Sequence, residues 1–136
     1  LSLHYLLGNL KTFLFGKPYR AEGGVLHINQ FGFSLFISCP VFICSVIWLV
    51  KDIVLRGFSP AKAVIVLMGA ANVILLCMHR TLGGHQFGAR YALEMVPLAF
   101  CYLLLSTDKQ RMTRWESALM GFGLIFNFVG GCLIHL

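Results

Sequence analysis

The sequence predicts an all-α integral membrane protein, in which an N-terminal amphipathic helix in the membrane interface is followed by four transmembrane helices. Three observations carry this reading. Hydrophobic residues make up 58% of the 136-residue chain, and its mean hydropathy is +0.81. Only 12% of residues are charged, against about 25% in ordinary soluble domains. The charges that exist fall almost entirely between long apolar runs. No stretch is suited to a soluble domain, and at roughly 20 residues per crossing the length leaves room for several spans with short connections. The chain opens at Leu1 and ends at Leu136 inside an apolar run, so it is expected to be one membrane domain, 1–136, of a longer chain.

The first element covers residues 2–15. Leu3, Leu6, Leu7, Leu10, Phe13 and Leu14 recur at helical spacing while His4, Asn9, Lys11 and Thr12 fall off that stripe, which is the pattern of an amphipathic helix. It is too short and too polar to span, so it is expected on the membrane surface or against another part of a longer protein. Gly16, Pro18, Gly23 and Gly24 then break it. The spans are read at 31–50, 63–78, 91–107 and 117–136. The first holds no ionisable side chain and is closed by Lys51 and Asp52; the second is bracketed by Lys62 and by His79 with Arg80. The third is interrupted only by Glu94 and Pro97, and the fourth follows Trp115 and Glu116, a pair suited to the interface. Pro40 and Pro97 are placed inside membrane helices, where neighbours can satisfy the freed carbonyls.

Loop charges set the orientation. Lys51, Arg56 and Lys62 lie in one short connection and Lys109, Arg111 and Arg114 in another, whereas Lys11, Lys17, Arg20, Arg80 and Arg90 are spread over the other side. The positive-inside rule applies best to short loops, so the two dense ones are placed in the cytoplasm and the Gly83–Arg90 loop outside it. The net charge of +6 suits anionic headgroups, and no basic, aromatic-studded soluble surface is present for nucleic acid. Cys39, Cys44, Cys77, Cys101 and Cys132 all fall within spans, without redox or ligand spacing, and read as small apolar packing residues. His79 and His85 lack a carboxylate or thiol at ligand spacing, so neither a metal nor another cofactor is expected. Ser34, Ser38 and Ser45 on the first span, and Gly123, Asn127 and Gly131 on the last, are read as close-packing faces.

The functional expectation rests on Thr81–Ala92, TLGGHQFGARYA. Gly83, Gly84 and Gly88 make this connection flexible, and Arg90 stands where the next helix begins, so its guanidinium and free N–H groups can face one anion together. His85 and Gln86 lie nearby, while Phe87 and Tyr91 offer flat apolar surface for a sugar ring or prenyl chain. Arg90 and Glu94 are one α-helical turn apart. They form either an intrahelical ion pair or a pair in which Arg90 holds a lipid-borne phosphate and Glu94 orients it, and the spacing does not separate the two.

The same residues carry a resemblance. The segment GGHQFGARYALEMVPLAF, Gly83–Phe100, resembles the Gly-Gly-x-x-Phe-Gly-x-Arg-Tyr-x-x-x-x-x-Pro pattern toward the C-terminal end of multispan glycosyltransferases of the GT-C class, users of polyprenyl-phosphate sugars related to protein mannosyltransferases. YLLGNLKTFLFGKP, Tyr5–Pro18, is similar to the amphipathic segment before those spans, and GFSLFISCPVF, Gly32–Phe42, to the Leu-Leu-x-x-Ser-Pro opening of the next helix, with Cys39 where serine is usual. The resemblance implies a polyprenyl-phosphate sugar donor handled on the extracytoplasmic face, with Arg90 at its phosphate and Gln86 and His85 close by. It also implies an acidic catalytic loop near the start of a longer chain. Glu22 is the only acidic residue in the N-terminal extracytoplasmic stretch and its surroundings do not match that motif, so this portion is expected to bind the donor and complete the bundle, with no catalytic residue of its own. The partners expected are membrane lipid, the lipid-linked donor and the remaining transmembrane helices of the chain. Two other readings are a non-enzymatic membrane scaffold or accessory module and half of a transporter with Glu94 and Arg90 along its path.

Overall fold

The N-terminal helix forms in two parts. Ser2 accepts a hydrogen bond from the His4 amide and starts a 3₁₀ turn, Leu3–Tyr5, which continues as α1, Leu6–Phe15. The computed structural model describes residues 1–29, 32–82, 87–107 and 112–133, with all their side chains except those of Glu22, Val25, Leu26, Arg56 and Arg90. The apolar stripe of α1 is divided between two surroundings. Phe13 is buried and Leu6, Leu10 and Leu14 pack on the core, while Leu3 and Leu7 stand exposed. The inner half packs on α4, Pro60–Cys77, and on α2, Leu35–Ser38.

The segment expected only to break this helix forms an antiparallel hairpin, β1 Tyr19–Glu22 and β2 Val25–Ile28, in the register Tyr19↔Ile28 to Glu22↔Val25. Gly23 and Gly24 both have positive φ, 60° and 82°. The favoured two-residue hairpin turn demands that conformation of both central residues, and glycine adopts it without a Cβ penalty.

The predicted helix at 31–50 is broken. α2 stops at Ser38, Cys39 adopts an extended backbone (φ −143°, ψ 85°), and α3 runs from Val41 to Lys51. Pro40 causes this, because its ring excludes the residue before it from the helical region and it supplies no N–H. The Ser38 carbonyl, left free because the Phe42 amide donates to Cys39 O at 3.1 Å, accepts from the Asn127 side chain at 2.7 Å, across from α6, Arg114–Leu133. Beyond α3 the chain tightens into a π-helical turn, Asp52–Arg56. Ser59 caps α4 and Pro60 occupies its first turn, where a missing N–H costs nothing.

The third apolar run also departs from one α-helix. Arg90–Met95 is 3₁₀, and α5 spans Val96–Ser106 with Pro97 in its first turn, so this proline begins the α-helix instead of interrupting it. In 3₁₀ geometry positions i and i+3 are superposed; the four-residue spacing that joined Arg90 to Glu94 on one α-helical face does not hold here. α6 opens with the carboxylate half of a capping box: Glu116 Oε2 accepts from the Thr113 amide at 2.7 Å and from its hydroxyl at 2.6 Å. Glu116 is buried, not interfacial, and Oε1 accepts from the Trp48 indole at 3.3 Å.

Cross-links fix the helix directions. Ser45 to Ala99 and Asp52 to Ser106 keep the same offset, so α3 and α5 run parallel; Trp48 to Glu116 and Ser38 to Asn127 set α6 antiparallel to α3. Lys62 at the start of α4 meets Asp52 just past the end of α3, so α4 is antiparallel to both. The protein is thus mostly helical, and among the described residues two helices, α4 and α6, are long and apolar enough to cross a membrane. Of their most apolar stretches only 11% and 17% are buried.

The core lies at the loop end, where Phe13, Leu35, Leu76, Cys77, Leu82, Ala89, Ala92 and Met95 meet. Gly32, at φ 101°, is pressed against Leu82, and a Cβ there would stand 2.9 Å from the leucine Cβ. On α6 the close-packed glycines are Gly123, against Pro40, and Gly130, against the Phe87 ring; a Cβ at Gly131, expected on that face, would meet nothing within 4 Å among the described residues. Gly130→Ala should therefore lower stability by about 1–3 kcal/mol through overpacking, and Gly131→Ala should leave it within about 0.5 kcal/mol. Thermal unfolding of the two variants in detergent checks this, and equal midpoints would contradict the packing.

Candidate functional site

The expected binding loop is held by α1 and α4. Asn9 donates to the Cys77 and His79 carbonyls at 3.0 and 2.6 Å, and the Ser2 amide donates to Met78 O at 2.8 Å. These bonds satisfy carbonyls left free at the C-terminus of α4. Leu82, Ala89, Ala92 and Met95 are buried in the core, fixing the two strands of the loop where they leave and rejoin the bundle.

Of the expected site residues, Gly83, Gly84, His85 and Gln86 lie outside the described residues, as does the Arg90 side chain. Arg90 opens the 3₁₀ turn. Tyr91 is exposed, its ring 6.3 Å from that of His79, and Glu94 is exposed as well. Phe87 is not a free platform. Its ring meets Phe33 edge-on at 4.9 Å and Phe126 at 5.1 Å and covers Gly130, so it ties the loop to α6. Gly88, expected as a point of loop flexibility, is buried at positive φ (86°), and a Cβ there would stand 3.3 Å from that of Ser38.

Below Phe87 and Gly88 the α2–α3 break, α5 and α6 leave a groove. Its upper part, about 420 Å³, is lined by Cys39, Phe87, Gly88, Leu93 and Val96 among others; its lower part, about 530 Å³, by Pro40, Val41, Phe100, Leu124 and Phe128. The two share Ser38, Cys39, Val96 and Asn127, so they form one channel along the bundle. Both Asn127 side-chain N–H groups are spent on the carbonyls of Ser38 and Gly123. The walls are otherwise mostly apolar, so the groove is suited to a hydrocarbon chain.

A second constellation, at the other end of the bundle, was not foreseen. Asp52 is fully buried, and its Oδ2 accepts from Lys62 Nζ at 2.8 Å, Tyr102 OH at 2.9 Å and Ser106 Oγ at 2.7 Å. Oδ1 is buried and has no partner among the described residues. Burial pushes the Asp52 carboxyl up, yet the hydrogen bonds from Lys62, Ser106 and Tyr102 and the charge of Lys62 outweigh it and hold the group below its ordinary value. The signal in the sequence was a lone acid closing an apolar run, a lysine after a short Gly- and Pro-containing connection, and Tyr102 and Ser106 four apart on the next run. No protein-family model, curated protein or solved structure matches the chain.

Because Asp52 has a lowered value in the folded state, its contribution to stability is fully present above the ordinary carboxylate range, around pH ~4, and is lost as pH falls through the folded value. Lys62→Met leaves the carboxylate buried without its cation and should cost about 3–5 kcal/mol, while Asp52→Asn combined with Lys62→Met should cost less than Lys62→Met alone. Asp52→Asn should also flatten the loss of stability on acidification. Denaturation followed from pH 7 downward measures both effects; an unchanged acid limb in Asp52→Asn would show that another group governs it.

Proposed function

We propose that the chain is the C-terminal membrane portion of a glycosyltransferase that takes its sugar from a polyprenyl-phosphate donor on the extracytoplasmic face, and that this portion binds the lipid phosphate and packs the bundle. The groove between the α2–α3 break, α5 and α6 carries this reading. It begins under the loop that bears Arg90 and runs along the bundle with mostly apolar walls, so a chain lying in it would leave its phosphate at the loop. Glu94 stands on the outside of the bundle, so no burial within the protein calls for Arg90 as its partner.

In this proposal four segments cross the bilayer. α4 and α6, with 18 and 20 residues, extend about 27 and 30 Å, close to the ~30 Å hydrocarbon core. The 3₁₀ turn and α5 together reach about 28 Å, because 3₁₀ rises ~2.0 Å per residue. α2, extended Cys39, helical Pro40 and α3 reach a similar length, about 27 Å. A water-soluble domain would bury far more of α4 and α6 than the 11% and 17% seen.

In the full-length enzyme, Arg90→Gln should weaken donor affinity roughly tenfold to a hundredfold, as expected for loss of charged hydrogen bonds. Arg90→Lys should also weaken it, since lysine lacks the planar two-pronged donor. Glu94→Gln should accumulate and bind normally. Val96→Trp, which fills the groove, should penalise long-chain donors more than short-chain ones. Titration of well-folded variants with donor decides the matter, and affinity indifferent to Arg90 would leave a non-enzymatic membrane module as the better reading.

Sidedness has its own test. With the native cysteines replaced, a cysteine at Ser59 or Thr107 should be shielded from an impermeant thiol reagent in intact cells, and one at Gly84 should react. The opposite pattern would turn the protein over and detach it from extracytoplasmic transfer.

A further inference from the structure

The end of the bundle away from the loop carries a surface that donor binding does not use. On the π-helical turn Asp52–Arg56, Ile53, Val54 and Leu55 stand 62%, 70% and 76% exposed, and Phe58 follows at 41%. Three consecutive exposed aliphatic side chains gain nothing from water. Two exposed basic side chains belong to the same end of the bundle. Lys51 is exposed with its ammonium 4.7 Å above the Trp48 ring, and Arg114 is exposed beside half-exposed Trp115 and Met112. The sequence places Arg56, Lys109 and Arg111 in the same two connections, against the single acid Asp108. The described carboxylates at this end are Asp52, buried on Lys62, and Glu116, buried in its helix cap. Neither neutralises the rim.

We propose that this end docks into an anionic lipid leaflet, with Ile53, Val54, Leu55 and Phe58 entering the acyl boundary and Lys51 and Arg114 meeting phosphate-bearing headgroups. The charge is complementary, since lysine and arginine beside a membrane favour acidic lipid. The side-chain mixture also selects a leaflet over a protein partner. Protein interfaces are depleted of lysine, whereas aliphatic side chains flanked by lysine and tryptophan are characteristic of membrane-surface segments. The inference is independent of Arg90 and of glycosyl transfer.

The test reconstitutes the protein in nanodiscs of phosphatidylcholine, with and without phosphatidylglycerol. Phosphatidylglycerol should be retained through detergent extraction in preference to phosphatidylcholine, and Lys51→Gln with Arg114→Gln should reduce that preference by on the order of tenfold or more, at roughly fivefold per basic side chain. Acyl-brominated lipid should quench Trp115, because Trp48 is buried, and Ile53→Ser with Val54→Ser and Leu55→Ser should relieve the quenching. All five positions are exposed, so unfolding midpoints in detergent should match wild type; should the triple variant unfold, lipid retention by the charge variant still decides. Equal retention of the two lipids, preference that survives removal of both charges, quenching unchanged in a folded triple variant, or displacement of the lipid by free glycerol phosphate alone would each overturn the proposal, the last by revealing a small-anion site.

Discussion

A single oxygen atom joins three helices. Asp52 Oδ2 takes donors from the start of α4 and from two positions on α5 while its backbone continues α3, and this junction fixes how far α4 can move from the parallel pair. Tyr102 is the hinge between that polar junction and the apolar interior, because its ring also lines a cavity of about 260 Å³ between α3, α4 and α5. Such a junction is costly to desolvate, and its value depends on all its members being present together. Removing the lysine is therefore a different perturbation from removing the pair.

The two ends of the bundle solve different problems. At the loop end apolar contacts dominate: Phe13 from α1, Leu82 from the loop and Met95 from the 3₁₀ turn share one core, and the polar groups there mainly cap the end of α4. At the other end the helices are tied by Asp52 and by Glu116, which caps α6 and receives the Trp48 indole. The loop is thus anchored on both sides by packing, while the opposite connections are held by charge.

The apolar runs were legible because hydropathy is a local sum, and α4 falls within three residues of the span read from it. Pro40 was visible too, but whether it bends or breaks a helix depends on a donor for the freed carbonyl, and Asn127 lies 89 residues away. The hairpin was within reach, since Gly-Gly flanked by extended-type residues is a turn signal. Reading those glycines only as breakers missed it. Phe87 was legible as an aromatic in a loop, yet its partners Phe33 and Phe126 come from distant segments. Lys62 counted as a loop charge in the sequence and is instead neutralised by Asp52, a pairing that only the fold of the connection reveals.

The bond from Asn127 to the Ser38 carbonyl has a temporal side. A ribosome adding about 5–20 residues per second needs roughly 4–18 seconds to cover the 89 residues between them. During that interval α2 and α3 exist without the side chain that satisfies their break. The carbonyl must borrow a donor from solvent, from the translocation machinery or from another helix. The break itself is set by Pro40 within the segment, whereas the bond that satisfies it waits for α6, and a nascent chain stopped before α6 would hold that carbonyl on a borrowed donor.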